Sequence, residues 1–406
     1  MKRWIFVLFC TLLVSCGITE VRGWGDRDEE QSDEMLWAGE DFPSQTVCFV
    51  TGFEYPAGYD WMSDDGSTQA RCSLVVFADA VPRLKVPVGD GYQVSADHDM
   101  HRFLNGSLYT YFSKDGAVVI KKNGRPLCRY DADETMVDMS VDGEDLYILA
   151  HKSSGAGFSF RRNGIPILEK LSGEVLGGFW YDGQKPCFAY LQPVATAVGL
   201  ENRYYIVSGA SDPIHVPYGP DMGKVWDLRS QGGVPCSLVQ RVSDGQTYIV
   251  KGGQSKVVTI PRQTEMLSCR MFQADGNIGV ECAYLYPDGT CGGGIWVEGS
   301  EFLRFESGRL ISYMSYLGGK AYCVMNSAGS TASNDSVGMI FDAGEIYRMP
   351  EGYMCIGYRP AAVHDGEFYV ALSSREKEMP VIWHDGQYDA LRMNGYVCSI
   401  TFASGD

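Results

Sequence analysis

The run Ile120-Lys121-Lys122-Asn123-Gly124-Arg125-Pro126-Leu127 returns further along the chain as Phe160-Arg161-Arg162-Asn163-Gly164-Ile165-Pro166-Ile167. An Asp-Gly pair follows each copy, Asp142-Gly143 and Asp182-Gly183, and both offsets are 40 residues. Between these pairs the chain alternates short apolar runs with tight-turn dipeptides. Residues 136–141, 146–150, 157–162 and 165–168 read as four successive strands. Asp-Gly and Asn-Gly between such runs are the strongest short hairpin signals, because a type I′ turn needs positive φ at both central residues. The repeating unit is therefore four antiparallel strands, here termed a, b, c and d.

A period of this length built from strands and turns predicts an all-β protein, a β-propeller. The same turns recur downstream: Asp275-Gly276, Gly318-Gly319 and Asp365-Gly366 close a-strands, and Gly252-Gly253, Glu298-Gly299, Ala343-Gly344 and Asp385-Gly386 close c-strands. A tyrosine stands early in several b-strands, at Tyr109, Tyr147, Tyr322 and Tyr369. Strands of type c near Leu74, Val118, Phe158, Tyr205, Tyr248, Ile295, Ile340 and Ile382 give eight four-stranded blades of about 45 residues. Residues 185–276 are the least regular, which leaves seven blades as the alternative. The chain opens with a b-strand at 47–51 and closes with an a-strand at 396–401, so the C-terminal strand is expected to complete the first blade and close the ring. The propeller occupies 46–406.

Residues 1–15 read as a signal peptide. Lys2 and Arg3 precede an apolar run from Trp4 to Val14 that is too short to span a bilayer. It ends in Leu13-Val14-Ser15-Cys16, which resembles the lipobox of bacterial lipoproteins, where cleavage precedes a cysteine that carries lipid. The resemblance implies lipid attachment at Cys16. Gly17 stands where the enteric pattern has the Asp of inner-membrane retention, so the expected location is the bacterial outer membrane. Residues 16–45, with Asp26, Asp28, Glu29, Glu30, Asp33 and Glu34, form an acidic tether. Together, lipobox and Asn-Gly blades resemble β-propeller lipoproteins of Gram-negative bacteria, a resemblance that carries no activity with it. Ser63-Asp64-Asp65-Gly66-Ser67 and Ser113-Lys114-Asp115-Gly116 are similar to the Asp-box of sialidase-like propellers but lack its Thr-Trp.

From Cys16 onward there are 32 basic against 51 acidic residues, a formal charge of −19, which disfavours nucleic acid and anionic headgroups as direct partners. Eleven cysteines remain after Cys10 and Cys16, with no CxxC pair, so no zinc ribbon is indicated. Cys187, Cys236, Cys282 and Cys323 fall on the b-strand of successive units, and Cys269, Cys355 and Cys398 on another recurring strand. That placement reads as small buried residues, with one or two disulfides open to it in an oxidising compartment.

Turn lengths point to one face of the disc. The a–b and c–d turns on one side are tight, whereas the b–c connections at about 52–71, 191–202, 285–292, 326–337 and 372–380 read as long loops. The first holds Tyr55, Tyr59, Asp60 and Trp61, rings beside acceptors that suit sugar stacking, protein contact, or simple packing of the loop. Tyr286 and Asp288 lie in another. His98 and Asp99, within Asp97-His98-Asp99-Met100-His101, lie at an a-strand start near the channel, but their spacing supports no metal site. No nucleophile elbow, Walker loop or dinucleotide fingerprint is present, and no cofactor is indicated. The expected function is a lipid-anchored cell-envelope binding or scaffolding propeller with a glycan or protein ligand on the long-loop face. The alternative is a carbohydrate-active enzyme using carboxylates at the channel mouth.

Overall fold

The computed structural model describes residues 48–59, 72–88, 101–114, 116–155, 157–182, 185–197, 199–219, 221–260, 265–274, 277–287, 291–298, 303–305, 309–327, 338–357, 359–374 and 379–402. Among them there is no helix. Strands gather into eight antiparallel sheets that follow one another around a ring, so the eight-blade expectation holds and the seven-blade alternative falls.

Blade 1 consists of Gly395–Phe402 (a), Cys48–Glu54 (b), Cys72–Ala78 (c) and Val81–Val88 (d). The a-strands of blades 2, 3 and 5 are His101–Leu104, Glu134–Asp142 and Met222–Gln231, and those of blades 6 and 7 are Glu265–Ala274 and Arg309–Leu317. In blades 4 and 8 the a-strand is split, into Glu174–Val175 with Trp180–Asp182 and into Tyr353–Met354 with Ala361–His364. The ring closes as the sequence implied. Gly395–Phe402 is buried along its whole length and pairs antiparallel with Cys48–Glu54.

The repeated Asn-Gly has a definite task. Asn123 and Asn163 adopt φ of 49° and 52°, followed by Gly124 and Gly164 at 79° and 80°. Both central residues are left-handed, so these are type I′ c–d turns. Each Asn side chain also accepts the N–H of the second residue of the neighbouring b-strand, Leu108 N at 2.8 Å and Leu146 N at 2.9 Å. Each Asn N–H donates back to the carbonyl of that same residue, Leu108 and Leu146. Asp79 does the same in blade 1, accepting Cys48 N at 2.9 Å. The residue type is therefore set by a turn that must also tie two loops together. The Asp142-Gly143 turn differs from expectation: Asp142 ends the strand and pairs with Asp145, which leaves Gly143 as the first central residue with φ of 60° and Glu144 without a positive φ. Glycine alone at that position is the II′ arrangement.

The 191–202 segment is a second correction. It is not a loop: the b-strand Lys185–Thr196 and the c-strand Gly199–Ser208 stay in register to Thr196↔Gly199. Blade 4 therefore extends a hairpin past its neighbours.

Neighbouring blades share cores. Tyr109, Tyr111 and Ile120 of blade 2 pack with Met136, Met139 and Ile148 of blade 3. Phe158 and Phe160 pack with Phe188 and Tyr190 of blade 4, and Phe368 and Trp383 of blade 8 with Tyr322 and Val324 of blade 7. A fully buried side chain of this size contributes roughly 1.5–3 kcal/mol, so the junctions carry the stability of the ring. The ten cysteines with described side chains are free thiols, eight of them buried. Burial raises the thiols of Cys72 and Cys398, to about 11 and about 12.

Candidate functional site at the channel mouth

A cavity of about 800 Å³ lies within the ring, lined by a-strands of several blades. Strand periodicity puts one layer of side chains around it. Arg102, Ser140, Trp180, Arg229 and Phe272 all line it. Each stands two residues before the last residue of its a-strand, at Leu104, Asp142, Asp182, Gln231 and Ala274. Residues i and i+2 share a face of a strand, so this position repeats its direction from blade to blade. Tyr181, Asp182, Gln231, Gly232 and Asn277 complete the mouth, which places the cavity at the end of the channel that bears the a–b turns. Those turns are as tight as expected, but the ring they surround is wide enough for a ligand.

Charged residues hold this end together. Arg102 Nε donates to Asp138 Oδ1 at 2.9 Å, and its terminal nitrogens to the carbonyls of His101 (2.9 Å) and Val137 (3.3 Å). Asp138 also accepts Met139 N at 2.9 Å and Phe179 N at 2.8 Å, linking blades 2, 3 and 4. Asp227 repeats the device one blade pair later, accepting Leu228 N (2.8 Å), Arg229 Nε (3.1 Å) and Met271 N (2.7 Å). Both aspartates follow a skip in the strand register, between Met136/Asp138 and between Val225/Asp227. The bulge turns the carboxylate toward the next blade.

Asp182 spans another junction. It accepts Ser230 Oγ at 2.7 Å and the N–H groups of Gly232 (2.7 Å) and Gly233 (2.8 Å). Burial opposes its ionisation, but these three donors and the Lys251 charge outweigh it and hold the carboxyl below its ordinary value. The aromatic side of the mouth is fixed as well. Tyr181 is 46% exposed, while its hydroxyl bonds the Ser140 hydroxyl and donates to Val141 O at 3.2 Å. Arg229 lies over the Trp180 ring at 5.9 Å.

Of the residues proposed from sequence, the described ones, Tyr55, Tyr59 and Tyr286, lie elsewhere. Tyr55 is half-buried; its ring stacks on Tyr59 at 5.1 Å and leans on Tyr396 at 6.1 Å. Tyr55 N donates to Asn394 O at 2.8 Å, and Asn394 Nδ2 to Pro56 O at 2.6 Å. These contacts fasten the loop to blade 1, as packing residues do. Tyr286 sits edge-on to Tyr284 at 5.3 Å. Neither Tyr55, Tyr59 nor Tyr286 lines the cavity. Asp60, Trp61, His98, Asp99, Asp288 and Cys16 lie outside the described residues. His101, the last member of the His98 cluster, is buried between blades, with Nε2 at 2.7 Å from Thr51 Oγ1 and its ring edge-on to Phe53. Among the described residues no group of three metal-ligating side chains occurs.

Sequence reading missed the cavity residues. The available signal was an acid inside an apolar strand, Val137-Asp138-Met139 and Trp226-Asp227-Leu228, because a buried carboxylate must have partners. Asp182 stands out in the sequence only as part of an Asp-Gly turn.

No family model matches the chain, and no curated protein matches it. Solved structures similar in fold are β-propeller proteins. The propeller domain of the trilobed protease from Pyrococcus furiosus has a TM-score of 0.42 at 14% identity, over 71% of this chain and 94% of that one. A quinoprotein alcohol dehydrogenase-like protein from Bacteroides thetaiotaomicron has a TM-score of 0.37 at 10% identity, over 88% and 92%. A eukaryotic initiation factor has a TM-score of 0.45 at 12% identity, over 89% and 99%. Likenesses at this level concern the fold alone.

Proposed function

We propose that this protein is a lipid-anchored, non-catalytic propeller of the bacterial outer membrane that binds a glycan at the a–b mouth of its channel. The observation that carries the reading is Tyr181: a ring nearly half exposed beside an 800 Å³ cavity, its hydroxyl tied to blade 3. A ring held at its edge and open on its face is a rigid platform for a sugar ring, and little rotamer freedom is lost on binding. Asn277 offers a polar group on the same rim. The anchor rests on Lys2, Arg3 and the Leu13-Val14-Ser15-Cys16 match.

The acids of the cavity support binding over catalysis. A glycosidase needs one carboxyl able to give up a proton and a second as base or nucleophile. Asp138 and Asp182 each accept three hydrogen bonds from protein donors, so both are committed to joining blades. The mouth replaces the long-loop face as the preferred site because the described rings on that face are consumed in packing.

A glycan array probed with the detergent-solubilised full chain tests this. Tyr181→Ala should weaken binding by about 2 kcal/mol or more, the usual cost of losing an aromatic anchor, with little change in melting temperature. A folded variant that binds as tightly as the parent sinks the assignment of the site.

A further inference from the structure

We infer that the glycan bound at this mouth is acidic, its oxyanion held by Arg359, with Arg229 lining the same cavity; the inference rests on the channel mouth being the binding site. Arg359 lies in the linker that precedes Ala361–His364 of blade 8 and lines the cavity. Its main chain is locked: the carbonyl accepts Ile400 N at 2.9 Å and the residue bridges Ser399 of blade 1. Its side chain is exposed and makes no hydrogen bond or ion pair among the described residues. A guanidinium positioned by a fixed backbone, with five N–H donors, is thus presented to the channel.

Arg229 is half-committed. Only Nε is bonded to Asp227, while Asp227 also accepts two backbone N–H groups. The terminal nitrogens of Arg229 have no hydrogen-bond partner among the described residues, and its side chain is one-third exposed. Asp227 is the ion-pair partner of Arg229, whereas Arg359 has no ion-pair partner among the described residues.

This is unusual in a chain with a formal charge of −17. An acidic protein has many carboxylates with which to pair an arginine. Two guanidinia with spare donors at one mouth therefore point to an anion brought in from outside. Forked N–H donors match carboxylate and sulfate-type oxygens two at a time, which a neutral hydroxyl cannot reproduce. Buried polar atoms add to the picture: Trp180 Nε1 and Thr401 Oγ1, both on cavity residues, have no partner among the described residues. The shared ligand chemistry is a sugar oxyanion, from a uronic-type carboxylate or from a sulfate ester.

The test is an array holding uronate-bearing, sulfated and matched neutral glycans, probed with the full chain and with Arg359→Gln, followed by calorimetric titration of the best acidic and neutral members. Acidic members should bind at least tenfold more tightly than their neutral counterparts, with affinity falling as NaCl rises. Arg359→Gln should lose at least tenfold for the acidic probe, leave the neutral one unchanged, and melt with the parent, since the side chain holds nothing in the fold. Preference for uronates over sulfate esters, or the reverse, identifies the source of the oxyanion. Neutral-only binding that depends on Tyr181 overturns this inference and leaves the glycan site standing. Acidic binding that survives Arg359→Gln undiminished also overturns it. No binding to any glycan removes both.

Discussion

Removing the last strand should cost more than any terminal deletion of similar length normally does. Gly395–Phe402 is the inner strand of blade 1, yet it comes from the far end of the chain. Its Val397, Ile400 and Phe402 are almost fully buried against Val50, Phe77 and residues of blade 8. At roughly 1.5–3 kcal/mol each, these three side chains alone contribute about 5–9 kcal/mol. Backbone terms add to that, for the strand pairs with all of Cys48–Glu54 and reaches blade 8 through Val397 N to Ser373 Oγ (3.0 Å) and Ile400 N to the Arg359 carbonyl (2.9 Å). Natural domains are stable by about 5–15 kcal/mol in total, so the loss is comparable to the whole. A chain lacking 395–406 should therefore either fail to fold cooperatively or melt lower by roughly 10 °C or more, at about 2–4 °C per kcal/mol. Differential scanning calorimetry and far-UV circular dichroism measure this, and a synthetic peptide of residues 395–406 added in trans should restore part of the transition. Cooperative melting of the truncated chain within a few degrees of the parent would refute the reasoning.

Other expectations follow from single contacts. Glu134 and Arg161 form a buried two-bond pair, 2.9 and 3.2 Å, at the junction of blades 2 and 3. Glu134→Gln should cost about 3 kcal/mol by chemical denaturation, the low end for breaking such a pair because Arg161 keeps Gly164 O, and Glu134→Leu with Arg161→Met should recover much of it. Asp182, whose folded pKa is depressed, adds stability that is fully present above its ordinary value of 3.8 and is lost as pH falls below it; Asp182→Asn should destabilise the protein at neutral pH and flatten that acid limb of a melting-temperature profile. Cys16→Ala should abolish incorporation of radiolabelled fatty acid, and label retained by the variant would place the lipid elsewhere.

Much of the fold was legible because a propeller is written in local chemistry. Asn123 and Asn163 mark turns whose φ values only a few residues tolerate, and the side-chain bond each makes is closed within about 15 residues of chain. Blade number follows from counting such turns, and ring closure follows from a chain that begins on a b-strand and ends on an a-strand. Where local signals mislead, the reason is equally physical. The 191–202 stretch reads as a loop because its polar residues Gln192, Glu201 and Asn202 belong to a hairpin that extends past its neighbours and has no core to face.

The site is another matter. Nothing in the order of residues brings Arg102, Trp180, Arg229 and Arg359 to one cavity; they come from four blades and up to 257 positions apart, and meet because the ring curves back on itself. Whether an acid is a reagent or a brace is also decided in three dimensions. Asp182 stands in the same Asp-Gly pair that the sequence marks as a turn, and only the neighbouring blade supplies the Ser230, Gly232 and Gly233 donors that commit its oxygens. The aromatic residues that draw notice in sequence, Tyr55 and Tyr59, stack on each other, and Tyr55 leans on Tyr396, whereas Tyr181, unremarkable in its run, stays 46% exposed beside the channel. Turn and strand preferences act over a few residues and so are readable along the chain, but burial and pairing depend on which blade stands next, and that is settled only when the circle closes.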